Sequence, residues 1–183
     1  MSDVGLPAFR YHPDPIETGS IKVSEDMCVC CERARGFLYT GPVYAEDELD
    51  DALCPWCIAD GSAQDRFDAE FTDAAGVGLG WELVPDEVVE EVAHRTPGFT
   101  GWQQERWATH CGDACAYLGQ ADAADLAGRW SEAVPAIRAD VELSDDDWAA
   151  VLASFAKGPH GSPTAYVFRC LHCGALTGYW DSH

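Results

Sequence analysis

Paired cysteines constrain this chain more than any other feature. Cys28 and Cys31 enclose two residues in "CVCC", Cys54 and Cys57 enclose two in "CPWC", and 22 residues separate the pairs. Two such pairs around a short hairpin are a strong zinc-binding pattern, because four thiolates can form a closed tetrahedral shell around one ion. The spacing therefore predicts a first zinc site at Cys28, Cys31, Cys54 and Cys57.

Two alternatives to this assignment stay open. Cys30 is the spare thiol of "CVCC", and it can replace Cys28 as a ligand. The "CPWC" pair also has the form of a thioredoxin-like redox motif, but such a pair follows a buried apolar strand. Here the acidic stretch "EDELDDAL" precedes it, which favours zinc.

The residues around the first site predict a zinc-finger plan. The segment 36–45, "GFLYTGPVYA", carries aromatic and β-branched residues around a Gly-Pro turn and predicts a hairpin. Pro55 favours the first position of a helix running from Cys54 to about Glu70. The free N–H groups at this helix start stabilise thiolates. The order of turn, hairpin and helix resembles a treble-clef zinc finger.

Periodicity predicts mostly helices in the middle of the chain and a hairpin at its end. We expect helices over 85–95, over 102–118, over 121–139 with an interruption near Pro135, and after a cap at Ser144. Alternation predicts a strand in "TAYVFRC" (164–170) and a partner strand in "LTGYW" (176–180). The expected fold is α+β and zinc-stabilised, with a treble-clef or zinc-ribbon-like N-terminal part, a helical middle and a C-terminal zinc-knuckle β-hairpin. We expect one domain over 1–183, with a zinc-finger-like lobe at 28–70 and a helical lobe at 85–183.

The remaining cysteines predict a second zinc site. Cys111 and Cys115 lie one turn apart on the expected helix, and Cys170 and Cys173 lie in the knuckle "CLHCG". Alternatively, His110 or His172 replaces one thiol, or Cys111 and Cys115 are small buried apolar residues. On a helix, His110 would point roughly 100° away from Cys111, which makes it the weaker ligand.

The predicted sites argue against a metal enzyme. Two ions with four protein ligands each leave no open position for water or substrate, and such closed sites are structural. His94 lies near a helix C-terminus, where a capping role is favoured over a general base. The chain has no Gly-rich phosphate loop, nucleophile elbow or His-Glu-x-x-His motif. We assign no catalytic residue.

Charge and hydropathy indicate the kind of partner. The formal net charge is −21, from 32 acidic and 11 basic residues among 183. Such a surface repels nucleic-acid backbones and attracts basic proteins. The sequence contains no apolar run of membrane-spanning length and no signal-peptide pattern at its N-terminus. We therefore expect a cytoplasmic protein with reduced thiols, a basic protein partner, no membrane contact and no direct nucleic-acid binding.

Several segments together resemble one bacterial family, the CbrC-type proteins associated with tolerance to a DNase colicin. They are "FRYHPDP", "YTGPVYA", "LCPWCIADGSA", "FDAEFTDAAG", "HRTPGFTGWQQERWATHCGDACAYLG" and "YVFRCLHCG". The resemblance implies a small cytosolic protein, zinc-binding and linked to bacteriocin tolerance, without established catalytic residues. The leading hypothesis is thus an acidic protein that binds a basic nuclease toxin. The alternatives are a thiol-based redox protein or other enzyme using Cys30 or the Cys54/Cys57 pair, and a zinc-ribbon adaptor that docks on transcription machinery.

Overall fold

The computed structural model describes residues 5–139, 141–158 and 160–182. These residues form a mixed α/β structure of small sheets and short helices. The strands are β1 Ile21–Val23, β2 Phe37–Tyr39, β3 Thr109–His110, β4 Asp113–Ala114, β5 Ala116–Ala121, β6 Thr164–Arg169 and β7 Leu176–Asp181. The helices are α1 Pro55–Ala59, α2 Ser62–Phe67, α3 Asp86–Arg95, α4 Ala123–Ala127, α5 Val134–Ala139 and α6 Asp145–Ser154. None of the helices in these ranges has the length and apolar character that crossing a bilayer demands.

The predicted hairpin within 36–45 is wrong, because β2 pairs with the preceding strand. β1 and β2 are antiparallel, with Ile21 opposite Tyr39. The chain then turns sharply: the Tyr39 hydroxyl donates to the Pro42 carbonyl at 2.9 Å, and a Cβ on Gly41 would lie 2.4 Å from that hydroxyl. Tyr44 instead pairs across an isolated bridge with Glu70.

The helix predicted from Cys54 to Glu70 forms in two pieces. Cys54 is the N-cap and Pro55 the first residue of α1, as predicted. The helix breaks at Gly61, whose φ of 82° lies in the left-handed region that glycine tolerates. The prediction for 85–95 is confirmed by α3, which follows Pro85.

A three-stranded antiparallel sheet forms the centre of the C-terminal half. Its order is β5-β6-β7, so the predicted strand and its hairpin partner are both confirmed. Alternating residues of β6 enter two different cores, as the sequence predicts. Tyr166 and Phe168 pack with Phe99 and Trp107, whereas Val167 packs beneath the C-terminal helices.

The helix predicted over 102–118 is wrong. Residues 109–121 form β3, β4 and β5 instead, and a two-residue turn at Cys111 and Gly112 connects β3 to β4. Both turn residues have positive φ, 58° and 71°, which is the conformation that tight hairpins require. Trp107 is fully buried against the sheet, so tertiary packing outweighs the helical pattern of this segment. The middle of the chain is therefore mixed and not mainly helical.

The later helices agree better with the sequence. The element expected over 121–139 is interrupted at Gly128, whereas Pro135 lies in the first turn of α5, where proline is tolerated. The cap predicted at Ser144 is confirmed, because its side chain accepts a hydrogen bond from the Asp147 N–H at the start of α6.

A fully buried histidine connects the N-terminal segment to the core. His12 Nδ1 lies 2.6 Å from the carbonyl oxygen of Pro97, and Nε2 lies 2.6 Å from Thr18 Oγ1. A carbonyl can only accept, so Nδ1 carries the proton and Nε2 accepts from the threonine hydroxyl. The ring meets Tyr117 edge-on at 5.1 Å. Burial lowers the pKa of His12 to about 4.

This shift predicts a loss of stability in mild acid. In the unfolded chain His12 is protonated below about pH 6.5, whereas in the folded chain it is protonated only below about pH 4. Stability that is fully present above pH 6.5 therefore decreases by about 3 kcal/mol as the pH falls to 4. We expect urea unfolding to show about 2 kcal/mol of this loss between pH 7 and pH 5. His12→Gln should be less stable at pH 7 and have the shallower pH slope, and equal slopes would contradict the assignment.

Candidate metal centres

Four sulfur atoms converge at the first predicted site. The Sγ separations are 3.8 Å for Cys28–Cys57, 3.8 Å for Cys31–Cys54 and 3.6 Å for Cys54–Cys57. A zinc ion bound tetrahedrally at 2.3 Å from each sulfur requires separations of about 3.8 Å. All four ligand atoms lie within 4.8 Å of one another, and every cysteine is free of disulfide bonds. The arrangement fits a four-thiolate metal centre.

Local backbone geometry brings these thiols together. Cys28 and Cys31 lie on a tight turn closed by the hydrogen bond from Glu32 N–H to Cys28 O at 2.8 Å. Cys54 and Cys57 occupy the N-cap and first turn of α1. The Cys54 N–H also donates to Cys28 Sγ at 3.2 Å, so the helix start supports a thiolate on the opposite pair.

The proton affinities of these thiols favour binding of a cation. Interaction with Cys54 lowers the pKa of Cys28 to about 4, helped by backbone N–H groups that point at its sulfur. The same interaction raises the pKa of Cys54, and burial raises that of Cys57. Without a cation the cluster therefore resists holding several negative charges. A dication that replaces the protons removes this cost, so metal binding should release protons.

Cys30, the spare thiol of the sequence prediction, lies outside the first cluster. Its Sγ faces Ser62 Oγ at 3.7 Å, and its side chain is half-buried. Cys54 and Cys57, the pair considered as a redox motif, each contact a cysteine of the other pair. The structure therefore places the "CPWC" pair in a four-sulfur group and leaves Cys30 apart.

A second group joins the β3–β4 turn to the knuckle. It contains His110, Cys111, Cys170 and Cys173, with all ligand atoms within 4.8 Å of one another. His110 Nδ1 lies 3.2 Å from Cys111 Sγ and 3.5 Å from Cys173 Sγ. Zinc bound to one nitrogen and three sulfurs requires N–S separations of about 3.6 Å. This group also fits a tetrahedral metal centre.

The knuckle has the local geometry that its sequence predicts. Backbone N–H groups of His172 and Cys173 donate to Cys170 Sγ at 3.4 and 3.5 Å. Gly174 has a φ of 76°, which lets the chain reverse immediately after the second cysteine. Hydrogen bonds of this kind lower the pKa of Cys170 to about 6 although burial opposes them, so Cys170 is suited to ligation as a thiolate.

One predicted residue of the second site, Cys115, lies outside the group in the structure. The ligand atoms that lie within 4.8 Å of one another are those of His110, Cys111, Cys170 and Cys173. The Cys115 thiol lies outside this group, and burial together with the nearby thiols of Cys170, Cys173 and Cys111 raises its pKa. Cys115 lies fully buried between β4 and β5, where its carbonyl accepts a hydrogen bond from Trp107 Nε1 at 2.9 Å. The preference for Cys115 over His110 assumed a helix over 102–118, and the turn at Cys111 and Gly112 removes that assumption.

Asp113 is a buried residue beside the second group that sequence reasoning missed. Its carboxylate accepts from Tyr11 OH at 2.7 Å and lies 2.8 Å from His172 Nε2, with the Arg10 guanidinium also in contact. Burial raises the pKa of Asp113, but these hydrogen bonds and the arginine charge outweigh it and lower the pKa below its usual value. His172 therefore binds Asp113 and is not part of the ligand group. No local sequence pattern marks this contact, because its partners are distant along the chain.

The two groups differ in their exposure to solvent. In the first, Cys28, Cys54 and Cys57 are buried and Cys31 is half-buried. In the second, only Cys170 is buried, while His110, Cys111 and Cys173 are exposed. A metal in the first group would sit inside the apolar core of residues 9–71, and a metal in the second would sit at the surface.

Comparisons with known proteins find close relatives of the whole chain. The model of an uncharacterised protein family, UPF0167, matches residues 6–182. UPF0167 proteins of Mycobacterium bovis and Mycobacterium tuberculosis are each 53% identical over 182 residues, covering 96% of this chain and 93% of theirs. A UPF0167 protein of Pseudomonas aeruginosa is 44% identical over 175 residues, covering 92% of this chain and 93% of its own. No solved structure matches the chain.

Proposed function

The chain belongs to the UPF0167 family, and we propose that it is a zinc-binding protein that acts by docking on a basic protein partner. The observation that carries the proposal is the pair of four-residue groups with tetrahedral spacing. Each group would hold one zinc ion. With four protein ligands apiece the sites are closed, and closed sites stabilise a fold instead of performing hydrolysis.

For the first site we propose a structural role that joins a cysteine turn to the start of a helix. The cysteine turn lies between the paired strands β1 and β2, so the turn–hairpin–helix order of a treble clef is kept only in its last part, the second cysteine pair at the start of α1. The zinc ion would join the turn at Cys28 and Cys31 to the helix. Because core residues such as Leu53 and Ile58 pack around the same sulfurs, the metal would fix the hydrophobic core of this region.

The surface beside the first site supports a protein partner. The acidic segment, residues 46–51, exposes Glu46, Asp47, Glu48, Asp50 and Asp51. The Val29 N–H donates to the Ala52 carbonyl at 3.0 Å, which holds the cysteine turn against this segment. Met27 and Val29 on the turn are 67% and 42% exposed. Exposed apolar residues bordered by acidic side chains suit a partner that is basic around an apolar contact.

The resemblance to CbrC-type proteins directs the choice of partner. Nuclease toxins carry basic surfaces because their substrate is acidic, and a net charge of −21 would attract them over long range. We therefore propose a DNase-colicin type of nuclease as the partner class. Binding would be fast and sensitive to salt.

The test is binding of a purified DNase-colicin catalytic domain to the zinc-loaded chain. We expect measurable binding by calorimetry at low salt that weakens at least tenfold at high salt. Neutralising the acidic segment with Asp47→Asn, Glu48→Gln and Asp50→Asn should weaken low-salt binding about tenfold or more.

A matched control neutralises three exposed acids elsewhere, with Glu132→Gln, Glu142→Gln and Asp146→Asn. This control has the same net charge, so it should lose much less affinity if the acidic segment makes the contact. No binding by the unaltered chain at low salt would remove the nuclease proposal, and equal losses in both variants would remove the acidic segment as the contact.

A further inference from the structure

A cavity lies away from both cysteine groups. It has a volume of about 400 Å³ and opens between the turn at Thr18–Ser20, the loop 99–102 and strands β5 and β6. That volume is within the range of small-molecule sites. Neither the metal centres nor the proposed partner surface uses this cavity.

Aromatic rings form one side of the cavity. Phe99 stacks on Tyr117 with ring centroids 4.0 Å apart and an interplanar angle of 14°, and it meets Tyr166 at 5.4 Å. The indole of Trp102 is held beside them by a hydrogen bond from Nε1 to the Gly161 carbonyl at 2.6 Å. Phe99, Tyr117 and Tyr166 are 3%, 2% and 0% exposed, so they form the buried floor of the cavity. The half-buried indole of Trp102 is the ring on which a planar ligand can stack.

Polar groups of uncharged residues face the same space. Ser20 is only 4% exposed and lines the cavity. The Gln120 amide is oriented by Gly158 N–H, which donates to its Oε1 at 2.8 Å, and by the Thr100 carbonyl. A ligand can therefore meet both donors and acceptors.

Charged side chains lie behind the cavity wall: Glu105 accepts from the Gly101 N–H and Asp181 accepts from the Tyr166 hydroxyl. No acidic or basic residue is found among the described residues that line the cavity, although the chain carries 43 acidic and basic side chains in total, 32 and 11. A charged ligand would lose hydration there without gaining an ion pair. An anionic ligand would also meet the repulsion of the −21 net charge.

We propose that this cavity binds a neutral heteroaromatic compound of nucleobase or nucleoside size. Its ring would stack on Trp102, and its polar edge would bond to Ser20 and Gln120. A phosphate on the same ligand would weaken binding. The proposal is independent of zinc and of the protein partner.

The experiment titrates the zinc-loaded chain with adenosine, guanosine, cytidine and uridine, using calorimetry and ligand-observed NMR. We expect at least one of them to bind with a Kd of about 1 mM or tighter. Its 5′-monophosphate should bind more weakly at low salt, and the difference should narrow as salt is added. Methyl glucoside, which has hydroxyls but no aromatic ring, should bind more weakly than the nucleoside.

Two variants and a control test the location. Thr100→Trp fills the cavity from an exposed position and should weaken binding more than tenfold, while Ser131→Trp adds the same indole at an exposed position that does not line the cavity and should not. Ser20→Ala should weaken binding about fivefold to tenfold with an unchanged melting temperature. Failure of all four nucleosides to bind at several millimolar, about the practical limit for weak sites, would overturn the proposal. So would unaltered binding by Thr100→Trp, or tighter binding of methyl glucoside.

Discussion

Replacing Cys31 with serine is expected to remove one zinc ion from the chain and most of its stability. Structural zinc contributes about 10–16 kcal/mol to the folding of small zinc domains, which is as much as the whole stability of an ordinary domain. Cys31 Sγ lies 3.8 Å from Cys54 Sγ, inside the cluster around which the N-terminal core packs. Loss of this ligand should cost at least about 5 kcal/mol, or 10–20 °C in melting temperature.

The neighbouring cysteine provides a matched control for this variant. Cys30 is also half-buried, but its Sγ faces Ser62 Oγ and lies outside the cluster. Cys30→Ser should retain two zinc ions and change the free energy of unfolding by about 0.5 kcal/mol or less. Elemental analysis and thermal melting of the two variants test whether Cys31, and not Cys30, binds the zinc ion. Equal zinc content in both, or zinc loss in Cys30→Ser alone, would contradict the ligand assignment.

The second large effect concerns His110, the fourth member of the surface group. His110→Ala should reduce the zinc content from two ions to one, because His110 Nδ1 lies within 3.2–3.5 Å of two of the three sulfurs. His110→Cys should restore the second ion, since it completes a four-thiolate set. We expect His110→Ala to lower the free energy of unfolding by about 3 kcal/mol or more, through loss of the link between the β3–β4 turn and the knuckle.

Cys115→Ala separates this ligand set from the one that the sequence predicts. The Cys115 side chain is buried in the core, so its truncation should cost about 1–2 kcal/mol through a small cavity. The zinc content should stay at two ions. The opposite pattern is zinc loss in Cys115→Ala and two zinc ions in His110→Ala. It would support the ligand set that the sequence predicts, with Cys115 in place of His110.

Local signals made the first group predictable from sequence. The spacing of Cys28 and Cys31 and of Cys54 and Cys57 reflects turn and helix-start geometry, and Pro55 marks the helix start directly. The knuckle at Cys170 and Cys173 is likewise contained in a few residues between two alternating strands. Such features depend little on the rest of the fold, so the residue pattern alone is enough to predict them.

The place of His110 in the second group could not be found this way. The spacing of Trp107, Cys111 and Cys115 fits a helical face, yet Trp107 and Cys115 are buried by strands that pair with distant residues. The hairpin turn depends on Cys111 and Gly112, which both adopt positive φ in the structure. Cysteine seldom adopts this conformation, so the sequence pattern favoured the helix. Pairing of β2 with β1, and not with 42–45, also depended on tertiary contacts.

Elemental analysis of the purified, untagged chain tests the central claim most directly. Both groups have the spacing that tetrahedral zinc requires, so we expect about two zinc ions per chain, retained through gel filtration. Metal release at neutral pH should require a strong chelator and should be accompanied by unfolding of the region around Cys28 and Cys54. A chain that folds fully with no bound metal would contradict the account.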